Sequence, residues 1–321
     1  MSPIALLLTL AGIVGAAIGS FLNVCVARWP RGLSVVAPRS RCPRCGHQIT
    51  WAENVPVVSW LLLRAKCSGC GLPISAQYPL VELAVAGLWM AAVWWAGPTL
   101  LALRLAVFAT LLLGVLLTDL QFYDIPDGFT ITGLVFALTT ALSDLVLGSG
   151  APFAPLPDAV VGACAGAGLV AIAGWLGEAW LKREAMGFGD VTLMAMVGAF
   201  VGPWRAILTV FLGAAIGLVV LLALAPFRHL IVTPSEDGPD GSAPSSDERA
   251  APAEPGAAPS GSAEGAADAA LPLDDRPDLP GTGAFGLPAI PFGVFLAPGA
   301  VVALLWGDRL IAWYLRFSGF P

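Results

Sequence analysis

Charge is scarce in this sequence. Asp, Glu, Lys and Arg make up 12% of 321 residues, where water-soluble chains carry roughly 25%. With 57% hydrophobic residues and a mean hydropathy of +0.81, the shortage excludes a soluble globular protein. No charge at all occurs from Met1 to Ala27, Leu83 to Leu103, Leu105 to Thr118, Gly128 to Ser143, Ala159 to Gly177, Val191 to Trp204, Ala206 to Phe227 or Leu279 to Gly307. Apolar runs of about 18 or more residues read as membrane helices, and uncharged flanking turns complete the shorter blocks. The prediction is an all-α polytopic membrane protein of about eight transmembrane helices. Also missing is a basic region ahead of the first span, so that span reads as uncleaved and not as a signal peptide. There is no long internal repeat, which argues against a transporter built from inverted halves. No dinucleotide-type glycine loop follows a strand.

What charge there is has a pattern. Arg28, Arg31, Arg39, Arg41, Arg44, Arg64 and Lys66, seven of the sixteen basic residues, lie between the first two spans. The positive-inside rule makes that segment cytoplasmic, and alternation then makes 119–128, 178–190 and 228–283 cytoplasmic too. Lys182, Arg183 and Arg228 agree; Arg104 and Arg205 fall at outer ends and count against it. Residues 233–283 carry eleven acids against Arg249 and Arg276 with almost no large apolar residue, so the low pI belongs to a disordered linker. The predicted organisation is a first helix (1–27), a cytoplasmic zinc-binding module (28–78), a membrane core of helices 2–7 (79–232), the acidic cytoplasmic linker (233–283) and a last helix (284–321). The string GAAIG at Gly15–Gly19 and Gly213–Gly217, with Gly162 and Gly166 at the same spacing, predicts close helix packing.

Two CxxCG knuckles, at Cys42 and Cys45 and at Cys67 and Cys70, occupy the first cytoplasmic segment. Four thiolates so spaced can close a tetrahedral zinc site, and a closed site is structural. Two disulfides are the alternative, which a reducing cytoplasm disfavours. The glycine after each pair lets the backbone turn its amides toward sulfur. Cys25 and Cys164 fall inside spans as packing residues, and His47 is an alternative ligand.

Carboxylates mark the second chemical signal, since an acid at a span boundary needs water or a function. Asp119 closes the third span, followed by Asp124 and Asp127, and Asp190 opens the sixth in GFGD. The topology brings Asp119 and Asp190 to one membrane depth. Only about 21 Å of helix separates Asp190 from Arg205, against roughly 30 Å of hydrocarbon, which sets Asp190 below the surface in a cavity. Two carboxylates sharing a site cannot easily both ionise, so one proton is held between them. The ionised member can activate water while the protonated one polarises a scissile carbonyl, with Gly187 and Gly189 letting an extended peptide approach. On these residues alone, proteolysis, proton-coupled transport and plain helix capping stay open.

Six segments in order carry a resemblance: GSFLNVCVARWPRG (19–32), the knuckle region (41–75), YPLVEL (78–83), the aspartate segment (119–127), EAMGFGDVTLMA (184–195) and IPFGVFLAPGA (290–300). The sequence resembles the type IV prepilin peptidases, bacterial G-x-G-D intramembrane aspartyl proteases also called prepilin leader peptidase and N-methyltransferase. The resemblance implies Asp119 and Asp190 as catalytic, beside the supporting Gly187 and Gly189; Asp127 matches the family's acidic position and either caps the fourth span or supports the dyad, while Asp124 reads as solvated. It implies removal of a short basic leader from prepilins or type II pseudopilins at the cytoplasmic face of the bacterial inner membrane. It also implies N-methylation of the new N-terminus from S-adenosylmethionine, without naming the residues that hold that donor. Membrane lipid is the other expected partner, and nucleic acid is not expected. Two features depart from the family: Thr192 stands where a lysine is usual, a role that could pass to Lys182, and the acidic insertion is atypical. The competing class is a membrane transporter or assembly scaffold with a structural zinc module.

Overall fold

The computed structural model describes residues 2–147, 152–182, 186–224 and 291–319. The acidic linker expected at 233–283 lies outside them. The helices are α1 (Pro3–Arg28), α2 (Val58–Leu62), α3 (Gln77–Ala96), α4 (Leu100–Phe122), α5 (Asp127–Leu147), α6 (Leu156–Leu181), α7 (Phe188–Val201), α8 (Pro203–Leu224) and α9 (Gly293–Phe317). Among the described residues there is no extended strand, only two isolated bridges. Among the described residues six helices, α1, α3, α4, α6, α8 and α9, are long and apolar enough to cross a membrane; α7 is apolar but has 14 residues. Trp94, Trp95, Trp175, Trp180, Trp204 and Trp313 are exposed near helix ends, where indole rings sit at a membrane interface.

Two helix breaks differ from the charge count. The sequence reading ends a span at Arg104, but α3 stops at Ala96 because Gly97, at φ 67, turns the chain before Pro98. Thr99 then caps α4 by accepting the Ala102 N–H at 3.3 Å. Arg104 therefore lies within α4 and is fully buried, paired with Asp144 of α5 and stacked 4.5 Å from the Phe153 ring centroid. In the same way α7 ends at Gly202, at φ 84, before Pro203, and Arg205 sits in the first turn of α8. Its guanidinium holds Asp308 of α9 and the Pro152 carbonyl. Both arginines that violate the charge rule are thus neutralised by acids, which makes them tolerable near the membrane.

Glycine spacing sets the pairings. A Cβ on Gly15 would lie 2.8 Å from Ala86 Cα and one on Gly19 2.8 Å from Glu82 Cα, so α1 meets α3 along backbone. On α8, Gly213 makes room for Leu296 and Gly217 for the Phe295 ring, both of α9. Gly162 and Gly166 of α6 face Gly198 and Met194 of α7. In lipid, where apolar side chains gain little by leaving their surroundings, this close packing is what holds helices together. The short α7 is the centre: α5, α6, α8 and α9 pack on it, and Leu193, Met194, Met196, Val197 and Phe200 are fully buried. Being enclosed by protein, it has no need to span the hydrocarbon. Phe200 lies 4.5 Å from Phe108 and 5.7 Å from Phe153, centroid to centroid. Cys25 is buried as expected, whereas Cys164 is exposed on α6 and is not a packing residue.

Gly198→Ala should cost about 1–3 kcal/mol or more, because the new methyl meets the Gly162 backbone and the helices must part. Gly168→Ala, with nothing within 4 Å, should leave stability unchanged or slightly raised. Thermal unfolding of the two variants in detergent checks the contrast.

Candidate active site and metal centre

Three elements far apart in sequence close one cavity of about 700 Å³. The C-terminal end of α4 brings Asp119, the first turn of α7 brings Asp190, and the chain entering α9 brings Pro291 and Phe292. Both aspartates are buried, at 4% and 8% exposure, and both line the cavity. Trp29, just after α1, lines it as well and meets Phe129 of α5 edge-on at 4.5 Å. The segment holding the cysteines therefore leaves the helices at the same end as the aspartates.

Asp119 is oriented by a residue that sequence reasoning did not single out. The Val294 N–H, in the first turn of α9, donates to its Oδ2 at 2.9 Å. That approach requires Gly293, since a Cβ there would lie 2.6 Å from the same oxygen and 2.8 Å from Ile125 Cδ1. The available signal was the PFG string at the head of a helix. The two glycines flanking Phe188 divide. Gly189 packs on Ile125, where a Cβ would lie 2.9 Å from the Ile125 Cβ. Gly187 has no atom closer than 4.0 Å and leaves open space beside Asp190.

Asp124 and Asp127 are exposed and line the same cavity, and Asp127 opens α5. Desolvation raises the Asp124 carboxyl above its ordinary range, opposed by the Ile125 N–H, while the Asp127 charge adds to the rise. Thr192 turns its hydroxyl back to the Gly189 carbonyl at 3.1 Å. Lys182 follows α6 at φ 52 and is not among the lining residues. No lysine or arginine lines the cavity among the described residues.

The cysteine segment folds as one hairpin made twice. In the first, Cys42 N–H donates to the His47 carbonyl at 2.8 Å and Gly46 N–H to that of Cys42 at 2.9 Å. In the second, Cys67 N–H donates to Leu72 at 2.9 Å and Gly71 N–H to Cys67 at 2.8 Å. Gly46 and Gly71 share φ 71, a left-handed turn that a side chain would strain. The four sulfurs lie within 4.8 Å of one another, with Cys42 to Cys70 at 4.0 Å and Cys45 to Cys67 at 3.9 Å. Tetrahedral ligation with bonds near 2.3 Å needs sulfurs about 3.8 Å apart, so the set fits a metal ion. His47 is not part of it. Its Nε2 faces Ser68 at 3.0 Å and both Glu53 oxygens at 3.3 Å. Glu53 in turn takes the Ser68 hydroxyl and the Thr50 amide and hydroxyl, which hold its carboxyl down to about 2 and tie one hairpin to the other.

Comparison with known proteins agrees with this architecture. Residues 13–96 match the family model described as Bacterial Peptidase A24 N-terminal domain, and residues 105–222 match Type IV leader peptidase family. The chain belongs to this family. A protein of Pseudomonas putida named "Prepilin leader peptidase/N-methyltransferase" is 32% identical over all of this chain and 97% of its own length. One of Pseudomonas aeruginosa with the same name is 31% identical, over 96% and 93%. A Myxococcus xanthus relative, again so named, is 42% identical over 66% of this chain and 62% of its own length. No solved structure matches. The family assignment leaves the transporter or scaffold reading unsupported.

The freshly purified chain should carry one tightly held metal ion, measured by elemental analysis. Cys45→Ser or Cys67→Ser should lose it, whereas Cys25→Ser and Cys164→Ser should keep it.

Proposed function

We propose that Asp119 and Asp190 form the catalytic pair of a prepilin peptidase that cuts a short basic leader from prepilins or pseudopilins, at the cytoplasmic face of the bacterial inner membrane. The observation that carries the reading is one cavity of about 700 Å³ lined by two buried aspartates from different helices, in a member of the type IV leader peptidase family. One carboxylate, ionised, takes a proton from water as its oxygen attacks the scissile carbonyl; the other, protonated, gives its proton to the carbonyl oxygen. The tetrahedral species collapses as the amine leaves with a proton. The Val294 amide keeps Asp119 in one orientation through these steps, and the open space at Gly187 admits the extended peptide. A cavity lined by Asp124 and Asp127 as well, with no basic lining residue among the described ones, complements a positively charged leader.

The metal at the four cysteines is zinc in this reading. It closes a site with no open ligand position, so it stabilises a module too small to hold a core of its own. Methylation of the exposed N-terminus follows from the relatives' names, with S-adenosylmethionine supplying the methyl group.

Asp119→Asn and Asp190→Asn keep size and remove ionisation, and each should lower leader removal from a co-expressed prepilin by roughly 10²-fold to 10⁴-fold at unchanged expression. Asp158→Asn, at the opposite end of the helices, should cleave at the parent rate. Cleavage near the parent rate in either dyad variant would overturn the assignment. Gly293→Ala, by pushing on Asp119, should reduce turnover at least about tenfold while leaving detergent-phase unfolding within a few degrees of the parent.

A further inference from the structure

Between α1 and α3 the chain contains a segment that the chemistry of the cavity does not use. Val57 sits at φ 62 and ψ −48, a left-handed conformation that a β-branched residue rarely adopts. The Val58 N–H closes a tight turn on the Pro56 carbonyl at 2.6 Å, and this three-residue geometry is strained. What holds it is Glu82. The Val57 N–H donates to Glu82 Oε2 at 2.7 Å, and Glu82 is 7% exposed.

The position of Glu82 gives the contact its meaning. It lies five residues into α3, so about 8 Å along a helix long and apolar enough to span the membrane. Leu80 and Leu83 beside it are exposed, at 62% and 54%, as lipid-facing residues are. A loop standing clear in water could not place its backbone at the second turn of that helix. The chain therefore folds back beside the spans before α2 begins. Just after the turn, α2 buries Ser59, whose hydroxyl donates to Val55 at 2.6 Å, and turns Val58, Leu61 and Leu62 outward at 50%, 61% and 77% exposure. Trp60 is held from behind by donating to the Ile74 carbonyl at 3.3 Å.

Charge completes the pattern. Arg64 and Lys66 follow α2 directly and are exposed. Residues 28–76 carry seven basic side chains against Glu53 alone, and Glu53 is already held by Ser68 and Thr50. An apolar face flanked by cations, continuous with the ends of two membrane helices, matches an anionic bilayer surface.

We propose that Val55–Leu63 is an interfacial segment that seats the cysteine module on anionic lipid, with Glu82 as the latch that fixes its depth. The apolar side chains of α2 enter the boundary of the hydrocarbon and the cations following it meet lipid phosphates. The module is thus held at three places, by α1, by α3 and by the bilayer itself.

The test places a nitroxide at position 62 by replacing Leu62 with a ketone-bearing residue, whose oxime chemistry spares the thiols. The full chain is studied in nanodiscs of phosphatidylethanolamine and phosphatidylglycerol, with a second label at the exposed Gln48 of the first hairpin as the aqueous reference. Power saturation should show position 62 more accessible to oxygen than to a water-soluble nickel chelate, and position 48 the reverse. In pure phosphatidylcholine, nickel access at 62 should rise at least about twofold; equal readings in both lipids overturn the preference for anionic lipid. Glu82→Ala should also raise nickel access at 62, and no change overturns the latch. Nickel access at 62 equal to that at position 48 overturns membrane seating, as does shielding from both reagents that develops only when a prepilin is added, which assigns the face to substrate instead.

Discussion

The buried arginines and aspartates of this fold answer to the cost of charge in hydrocarbon. A buried charge must be paired or must face a cavity that water can enter. Arg104 with Asp144 and Arg205 with Asp308 take the first course at one end of the helices. Asp119 and Asp190 take the second at the other end, and the remaining architecture serves to keep their cavity open. The short α7 makes this possible. Because protein surrounds it, it need not match the hydrocarbon thickness, and its first turn, with Asp190, opens on the cavity.

The packing that encloses α7 is done by small residues more than by large ones. Gly162, Gly166 and Gly198 bring α6 and α7 to backbone contact, while Gly213 and Gly217 bring α8 onto α9. Each pair removes space that lipid or water would otherwise fill, and so fixes the helix ends that carry the polar residues. The cavity at the aspartate end is what is left when those close contacts are satisfied around a helix too short to fill its own column.

Much of this was legible in the sequence. Charge-free blocks marked the helices, the GAAIG strings marked the contacts, and the CxxCG pairs marked a hairpin built twice. Asp119 and Asp190 could be matched because membrane topology alternates, which turns a list of spans into a statement about shared depth. Three features were not legible, for separate physical reasons. The helix breaks at Gly97 and Gly202 were placed at Arg104 and Arg205 instead, since a charge count cannot see that a partner acid on another helix makes an intramembrane arginine tolerable. Glu82 fell just outside a charge-free block and passed as a helix end, although it is buried and holds a strained turn. The Val294 amide on Asp119 joins residues 175 positions apart, and nothing local in either segment records the contact.

That last contact has a bearing on how the protein is made. Both aspartates have left the ribosome long before residue 294, yet the amide that aims Asp119 arrives only with the final described helix. A nascent chain holding α1 to α8 possesses the carboxylates but lacks the part that orients one of them. Assembly order therefore sets when the site is complete: until α9 is in place Asp119 lacks the amide that orients it, and the apolar segments made before α9 fold beside an unfinished cavity.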